Sequence, residues 1–173
     1  MSQKYRLDNI GLINRDKKLS FKFNGVTYYG YEGDTLASAL IANAVHLVGR
    51  SFKYHRPRGF FGAGVDEPYA IVQLFRNGET EPNIKATEQE LFDGLEATSV
   101  NCWPSVNFDT GAINNFLKMF LPAGFYYKTF MWPKSFWYKV YEPFIRKAAG
   151  LGVASTKHDK EKYEHKYEYC DLL

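Results

Sequence analysis

The dipeptide Asn24-Gly25 lies between two runs of alternating residues, and no other feature restricts the fold of this chain as tightly. Both central positions of a type I′ turn need positive φ, which asparagine and glycine tolerate, and this turn matches the twist of two antiparallel strands. Before it, Leu19, Phe21 and Phe23 alternate with Ser20 and Lys22; after it, residues 26–31 (VTYYGY) return. The spacing predicts a hairpin with one apolar face, and that face needs a cover. The next segment supplies it. Asp34 is a good N-cap whose carboxylate can accept the free amide hydrogens of a first helical turn. Leu36, Leu40, Ile41 and Ala44 then form the apolar stripe of a helix over residues 35–44.

Residues 46–49 (HLVG) read as a short strand and residues 50–59 as a loop without periodicity. Residues 70–75 (AIVQLF) read as a strand, followed by an Asn77-Gly78 turn and a weaker strand near residues 84–86. Strand, strand, helix, strand, long loop, strand, strand is the order of a β-grasp domain, ubiquitin-like or plant-ferredoxin-like, which predicts an α+β fold.

Beyond Asn101 the character changes. Twelve aromatic residues fall between Phe116 and Phe144, too many to line one face of two short helices. One helix is expected over residues 111–120, behind Asp109 or Thr110 and stopped by Pro122. A second is expected over residues 134–149, interrupted at Pro143. This density suits a docking surface for another domain or subunit better than a local core. Residues 157–168 alternate in sign with almost nothing apolar, as a solvated linker or exposed helix does. The expected organisation is therefore an N-terminal arm (1–18), a ferredoxin-like β-grasp domain (19–101), a largely helical aromatic-rich extension (102–152), a charged linker (153–168) and the start of a further domain (169–173).

A net charge of +3 and a pI near 8.7 are too mild for a dedicated nucleic-acid binder. No apolar signal-peptide core opens the sequence, and no uninterrupted apolar run is long enough to span a membrane. Cys102 and Cys170 form no CxxC and no ligand cluster. The expectation is a soluble cytoplasmic protein with reduced thiols, no nucleic-acid partner and no membrane partner.

One stretch carries concentrated charge. Arg50, Lys53, His55, Arg56 and Arg58 fall within nine residues, interleaved with Phe52 and Tyr54, and no acid follows before Asp66. Guanidinium forks suit bidentate phosphate contacts, so one reading is a clamp for the phosphates of a flavin or nicotinamide cofactor at a domain interface. The other is a structural loop whose cations pair with carboxylates of neighbouring domains. No catalytic residue stands out. His46 reads as a packed residue, His158 and His165 lie in the charged run, Ser51 and Ser105 lack nucleophile motifs, and Gly62-Ala63-Gly64 is only a fragment of a phosphate loop.

Several segments resemble the N-terminal region of the alpha subunit of heterotetrameric sarcosine oxidases: GDTLASALIAN (33–43), HLVGRSFKYHRPRG (46–59), PAGFYYKTFMWP (122–133), YEPFIRKAAGLG (141–152) and the terminal YCDLL. The resemblance runs in order along essentially the whole chain. It implies an N-terminal piece of a longer subunit, because the CDLL-type strand of that family continues into a glycine-rich dinucleotide-binding turn. It also implies oxidation of sarcosine to glycine with hydrogen peroxide formed, tetrahydrofolate as one-carbon acceptor, and FAD, FMN and NAD in the complete complex. The implied partners are the remaining domains and subunits and the small-molecule substrate.

Related ferredoxin-like domains hold a [2Fe–2S] cluster in the loop after the helix, with a C-x4-C-x2-C run and a fourth cysteine further on. Residues 50–64 contain no cysteine, so no metal ligand and no cofactor is expected in this chain alone, and the isolated chain is expected to be inactive. A non-enzymatic ubiquitin-like interaction module is the alternative; an electron-transfer ferredoxin is nearly excluded by the two cysteines.

Overall fold

The computed structural model describes residues 3–8, 10–124, 130–158 and 164–171. Three of the twelve aromatic residues (Phe125, Tyr126 and Tyr127) with Lys128 and Thr129, the run 159–163 of the charged linker, and the terminal Leu172 and Leu173 lie outside the described residues.

The expected hairpin is present. Strand β1 (Asn14–Phe23) pairs with β2 (Val26–Glu32) in antiparallel register, Phe21 opposite Tyr28 and Phe23 opposite Val26. Asn24 and Gly25 turn with φ of 51° and 79°. Leu19, Phe21 and Phe23 point into the core, as their alternation requires. The arm assigned to residues 1–18 is shorter than expected, because β1 starts at Asn14 and reaches Lys18 through an irregularity.

Helix α1 (Leu36–Ala42) covers the hairpin, burying Leu36, Ala37, Ala39, Leu40 and Ala42. Its cap is Thr35, not Asp34: Thr35 Oγ1 accepts from the Ser38 amide while the Ser38 hydroxyl accepts from the Thr35 amide. Asp34 is buried and otherwise engaged. It receives both Nη atoms of Arg6 (3.1 and 2.7 Å), the Tyr31 amide (2.9 Å) and the Ser38 hydroxyl (2.7 Å), tying the N-terminal arm to the sheet. Ala44, expected on the apolar stripe, is exposed beyond the helix at φ 64°. The helix approaches closely because β2 carries Gly30 there; a Cβ would lie 2.3 Å from Leu91 and 3.1 Å from Ala39.

After α1 only Gly49 of the expected 46–49 strand is extended; the two-residue strands β3 (Gly49–Arg50) and β4 (Pro57–Arg58) pair around the basic loop. Strands β5 (Ile71–Arg76) and β6 (Glu79–Lys85) form a second hairpin around Asn77-Gly78, at φ 52° and 77°. The last strand, β7 (Leu95–Ser99), was not legible in the pattern. It lies between β1, to which it runs parallel, and β5, to which it runs antiparallel. The sheet order is β2-β1-β7-β5-β6, with α1 on one face. This mixed sheet with its parallel central pair is an α+β arrangement of β-grasp connectivity.

Past β7 the chain forms a 3₁₀ helix (Thr110–Met119) capped by Asp109, then a short 3₁₀ turn (Lys134–Phe136), a π-helical turn (Trp137–Tyr141) and α2 (Glu142–Ala149). None of these four pieces has a buried residue. Pro143 does not interrupt the second helix as expected. It sits in the first turn of α2, where a missing N–H loses no hydrogen bond, and the irregularity precedes it.

Residues 150–157 return to the β5–β6 hairpin. Gly150 ends α2 at φ 67° and its carbonyl accepts from the Asn101 amide at 2.8 Å. The Gln73 amide group holds both backbone atoms of Val153 (2.7 and 3.2 Å), Thr80 Oγ1 donates to the same carbonyl, and Asn83 Oδ1 accepts from Gly152. These contacts make a strap across the sheet.

Candidate functional site

The five cations of residues 50–58 do not share one role. Three backbone-level bonds shape their loop: His55 N donates to Ser51 O, Ser51 N to Arg56 O, and Arg56 N to Ser51 Oγ. His55 takes φ 52° at its tip. Arg50 then reaches across to the segment after β7, giving Nε and Nη2 to the Val106 carbonyl (2.9 and 2.7 Å) and Nη1 to the His55 carbonyl (3.1 Å). His55 Nδ1 meets Asp109 Oδ2 at 2.7 Å, both side chains buried, and Asp109 Oδ1 accepts from the amides of Trp103 and Gly111. Arg50 and His55 are thus engaged inside the protein.

Lys53, Tyr54 and Arg56 extend the same seam. Lys53 Nζ donates to Pro122 O, the Tyr54 hydroxyl to Leu121 O, and Arg56 Nε to Asn115 Oδ1. The Arg56 guanidinium also stands 4.9 Å over the Tyr54 ring, and that of Arg58 stands 4.5 Å over Tyr69. Among the described residues Arg58 has no ion pair or side-chain hydrogen bond. Arg56 and Arg58 are the cations of the loop whose guanidinium groups retain donors toward solvent. Within this chain the loop's side chains meet backbone carbonyls, the Asn115 amide oxygen and, at His55, the Asp109 carboxylate.

The fragment Gly62-Ala63-Gly64 has an anion already. Glu67 is fully buried, and its carboxylate accepts from the amides of Phe61, Gly62, Tyr69 and Ala70 at 2.6, 2.6, 2.7 and 3.1 Å. Burial alone raises its pKa; the four amide donors outweigh burial and hold the carboxyl below the usual range. The Gly62 amide therefore serves Glu67 rather than a phosphate. No charge pattern marks this residue in the sequence; only an acid beside a glycine-rich turn hints at it.

The remaining candidates are dispersed. His46 is exposed rather than packed inside, with Tyr5 edge-on at 4.9 Å. His158 and His165 are exposed. A groove of about 780 Å³ opens between the β1–β2 turn, the end of α1 and residues 102–107, and Cys102 lies on its wall. Burial pushes the Cys102 thiol up, and the Asp109 charge adds to this against Arg50, so the thiol stays protonated at neutral pH.

A β-grasp domain whose helix-following loop is closed by side chains is the class that fold and site define. The chain belongs to the family described as "2Fe-2S iron-sulfur cluster binding domain", which matches residues 16–102. It is 60% identical over 98% of its length to sarcosine oxidase subunit alpha of Rhizobium meliloti (strain 1021), of which it spans 17%. It is 39% identical over half its length to sarcosine oxidase subunit alpha of Corynebacterium sp. (strain U-96), spanning 9% of that protein. The crystal structure of L-proline dehydrogenase from P. horikoshii is similar at a TM-score of 0.38, with 28% identity over 50% of this chain and 16% of that one. The chain thus spans less than a fifth of the curated relatives it matches.

The cluster in the family's description needs four thiolates, and this sequence holds two cysteines. Cys102 lines the groove, Cys170 is exposed in the last stretch, and among the described residues no three His, Cys, Asp or Glu side chains come together to hold a metal. Arg50 and the His55–Asp109 pair close the loop instead. These residues do not fit a [2Fe–2S] cluster.

Proposed function

We propose that this chain is a cluster-free ferredoxin-like region of a sarcosine oxidase alpha subunit. The observation that carries the reading is 60% identity over 98% of the chain to such a subunit. In this reading the complete cytoplasmic complex oxidises sarcosine to glycine, reduces oxygen to hydrogen peroxide, and passes the one-carbon unit to tetrahydrofolate, with FAD, FMN and NAD bound elsewhere in it. Residues 1–13 act as an arm, the β-grasp domain as a scaffold, residues 102–152 as an aromatic extension, and residues 153–173 as the passage to the next domain. The chain contributes no catalytic residue. Its partners are the remaining domains and subunits, and Arg56 and Arg58 are its candidates for contact with a cofactor phosphate or an acidic surface there.

The test exchanges the matched stretch of the Rhizobium meliloti subunit for this chain. The assembled chimaera should retain flavin and form peroxide when given sarcosine. An assembled, flavin-replete chimaera that forms no peroxide would overturn the reading.

A further inference from the structure

The 3₁₀ helix over Thr110–Met119 sorts its side chains by its own period. In such a helix residues three apart stand one above another. The row Gly111, Asn114 faces the β-grasp domain: Gly111 lies against the His55 ring and Asn114 Nδ2 donates to Lys53 O. The row Ile113, Phe116, Met119 points the other way, with exposures of 61, 83 and 85%, and Phe120 follows at 80%. Trp132 and Phe144 are also exposed, at 83 and 71%. Four exposed large apolar side chains within eight residues rarely face water without a partner.

The helix that carries this ridge is bonded to the β-grasp domain. Its amino-terminal side is anchored by Arg50, His55–Asp109 and Arg56–Asn115, and the chain beyond α2 is anchored by the strap on Gln73, Thr80 and Asn83. The segment that carries it is basic in sequence. Between residues 110 and 149 the sequence has Lys118, Lys128, Lys134, Lys139, Arg146 and Lys147 against the single acid Glu142, which pairs with Arg146.

We infer that the ridge Ile113–Phe116–Met119 is the seat of a further region of the same, longer polypeptide, presenting an apolar centre with carboxylates around it. The inference rests on the sarcosine oxidase reading. Two observations choose this occupant. The 60%-identical relative contains the match to this chain within a polypeptide of which the chain spans only 17%. A second copy would bring one lysine-rich segment against another, and like charges oppose self-pairing.

The experiment is covalent carbene footprinting of peptides covering residues 110–124, on this chain alone and on the whole chimaeric subunit. Labelling should fall at least fivefold in the whole subunit. Where the chimaera does not assemble, the native Rhizobium meliloti subunit is labelled over its matched stretch against this chain. Phe116→Asp with Met119→Asp should leave the melting of the isolated chain unchanged and reopen the footprint in the whole subunit. Equal labelling in both states overturns the inference. So does a concentration-dependent dimer of the isolated chain dissolved by the double variant, which makes a second copy the occupant. So does sedimentation with phosphatidylglycerol vesicles abolished by that variant, which makes the occupant an anionic bilayer. Sarcosine-dependent peroxide from a chimaera with a fully labelled ridge separates failure of this inference from failure of the functional reading.

Discussion

His55 and Asp109 are 54 positions apart in sequence and 2.7 Å apart in the fold, with side chains 6% and 0% exposed. That contact welds the loop after α1 to the segment after β7. It also explains how a histidine keeps φ 52°: the Asp109 bond and the Arg50 bond to its carbonyl determine its position from two sides.

Loss of Asp109 should be the more damaging change in this pair. Asp109→Ala strands His55 Nδ1 and the amides of Trp103 and Gly111 without an acceptor. We expect it to cost about 3–5 kcal/mol, and His55→Ala about 2–3 kcal/mol, in urea unfolding at neutral pH. Gly111→Ala should also destabilise, because its Cβ would stand 2.4 Å from the imidazole ring. Values under about 1 kcal/mol for Asp109→Ala would show that the pair does not hold the loop.

Acid should weaken the fold through Glu67. Its folded carboxyl titrates below the unfolded value of about 4.3, so its contribution is complete at neutral pH. As pH falls past that value the unfolded chain takes up the proton first, and the contribution is gone once the folded carboxyl is protonated too. Glu67→Gln sets an NH₂ group among four amide donors and should cost about 2–4 kcal/mol at neutral pH. The urea midpoint of this variant should also decline less steeply between about pH 5 and pH 3 than that of the parent. Parallel declines would remove Glu67 from the account.

The strap should detach at its glycines. A Cβ on Gly152 would meet Gln73 Oε1 at 2.6 Å and Asn83 N at 3.0 Å; one on Gly150 would meet the Asn101 Cα at 3.0 Å, in left-handed backbone. Gly152→Val should therefore raise proteolysis within residues 153–158 and leave β5 and β6 protected from hydrogen exchange. An unchanged cleavage pattern would show that Gln73 and Thr80 hold Val153 without that close approach.

Anaerobic reconstitution with iron and sulfide should give no stoichiometric cluster, since the chain offers two cysteines where four are needed. Cluster-type visible absorption with matching iron and sulfide would contradict this.

Within the loop, stability and cofactor retention should separate. Arg50→Ala loses three bonds to carbonyls and should cost about 2–4 kcal/mol, whereas Arg56→Ala should cost under about 1 kcal/mol. In the assembled subunit Arg56→Ala and Arg58→Ala should each lower flavin or NAD retention about tenfold, as loss of one desolvated phosphate contact does. Unchanged cofactor content with weakened assembly would assign them to a protein surface.

Both hairpins could be read from Asn-Gly dipeptides because a type I′ turn is a local demand on φ. Helix α1 was legible from its stripe, but its cap was not: Asp34 is as good a cap as Thr35 until Arg6, 28 residues earlier, claims it. Strand β7 escaped because LEATS has little β-branched or aromatic character, and its strand nature comes from two neighbours that are distant in sequence. The loop's charge was visible, yet the partners of Arg50 are carbonyls, and every residue carries one. No side-chain pattern can announce them. The same holds for Glu67, whose four partners are all backbone amides.

The parallel pairing of β1 with β7 sets an order of events during synthesis. Leu95, Glu96 and Ala97 pair with Phe21, Lys22 and Phe23, so β1 waits for more than seventy further residues before its second neighbour exists. Until then a nascent chain carries β1 and β5 each with one row of unpaired amides and carbonyls, the geometry that recruits other strands. Such distant closure is slow relative to hairpin formation. A polypeptide released before Leu95 would hold two hairpins and no means of joining them, and would aggregate through those edges. The central strand of this sheet is the last to be translated.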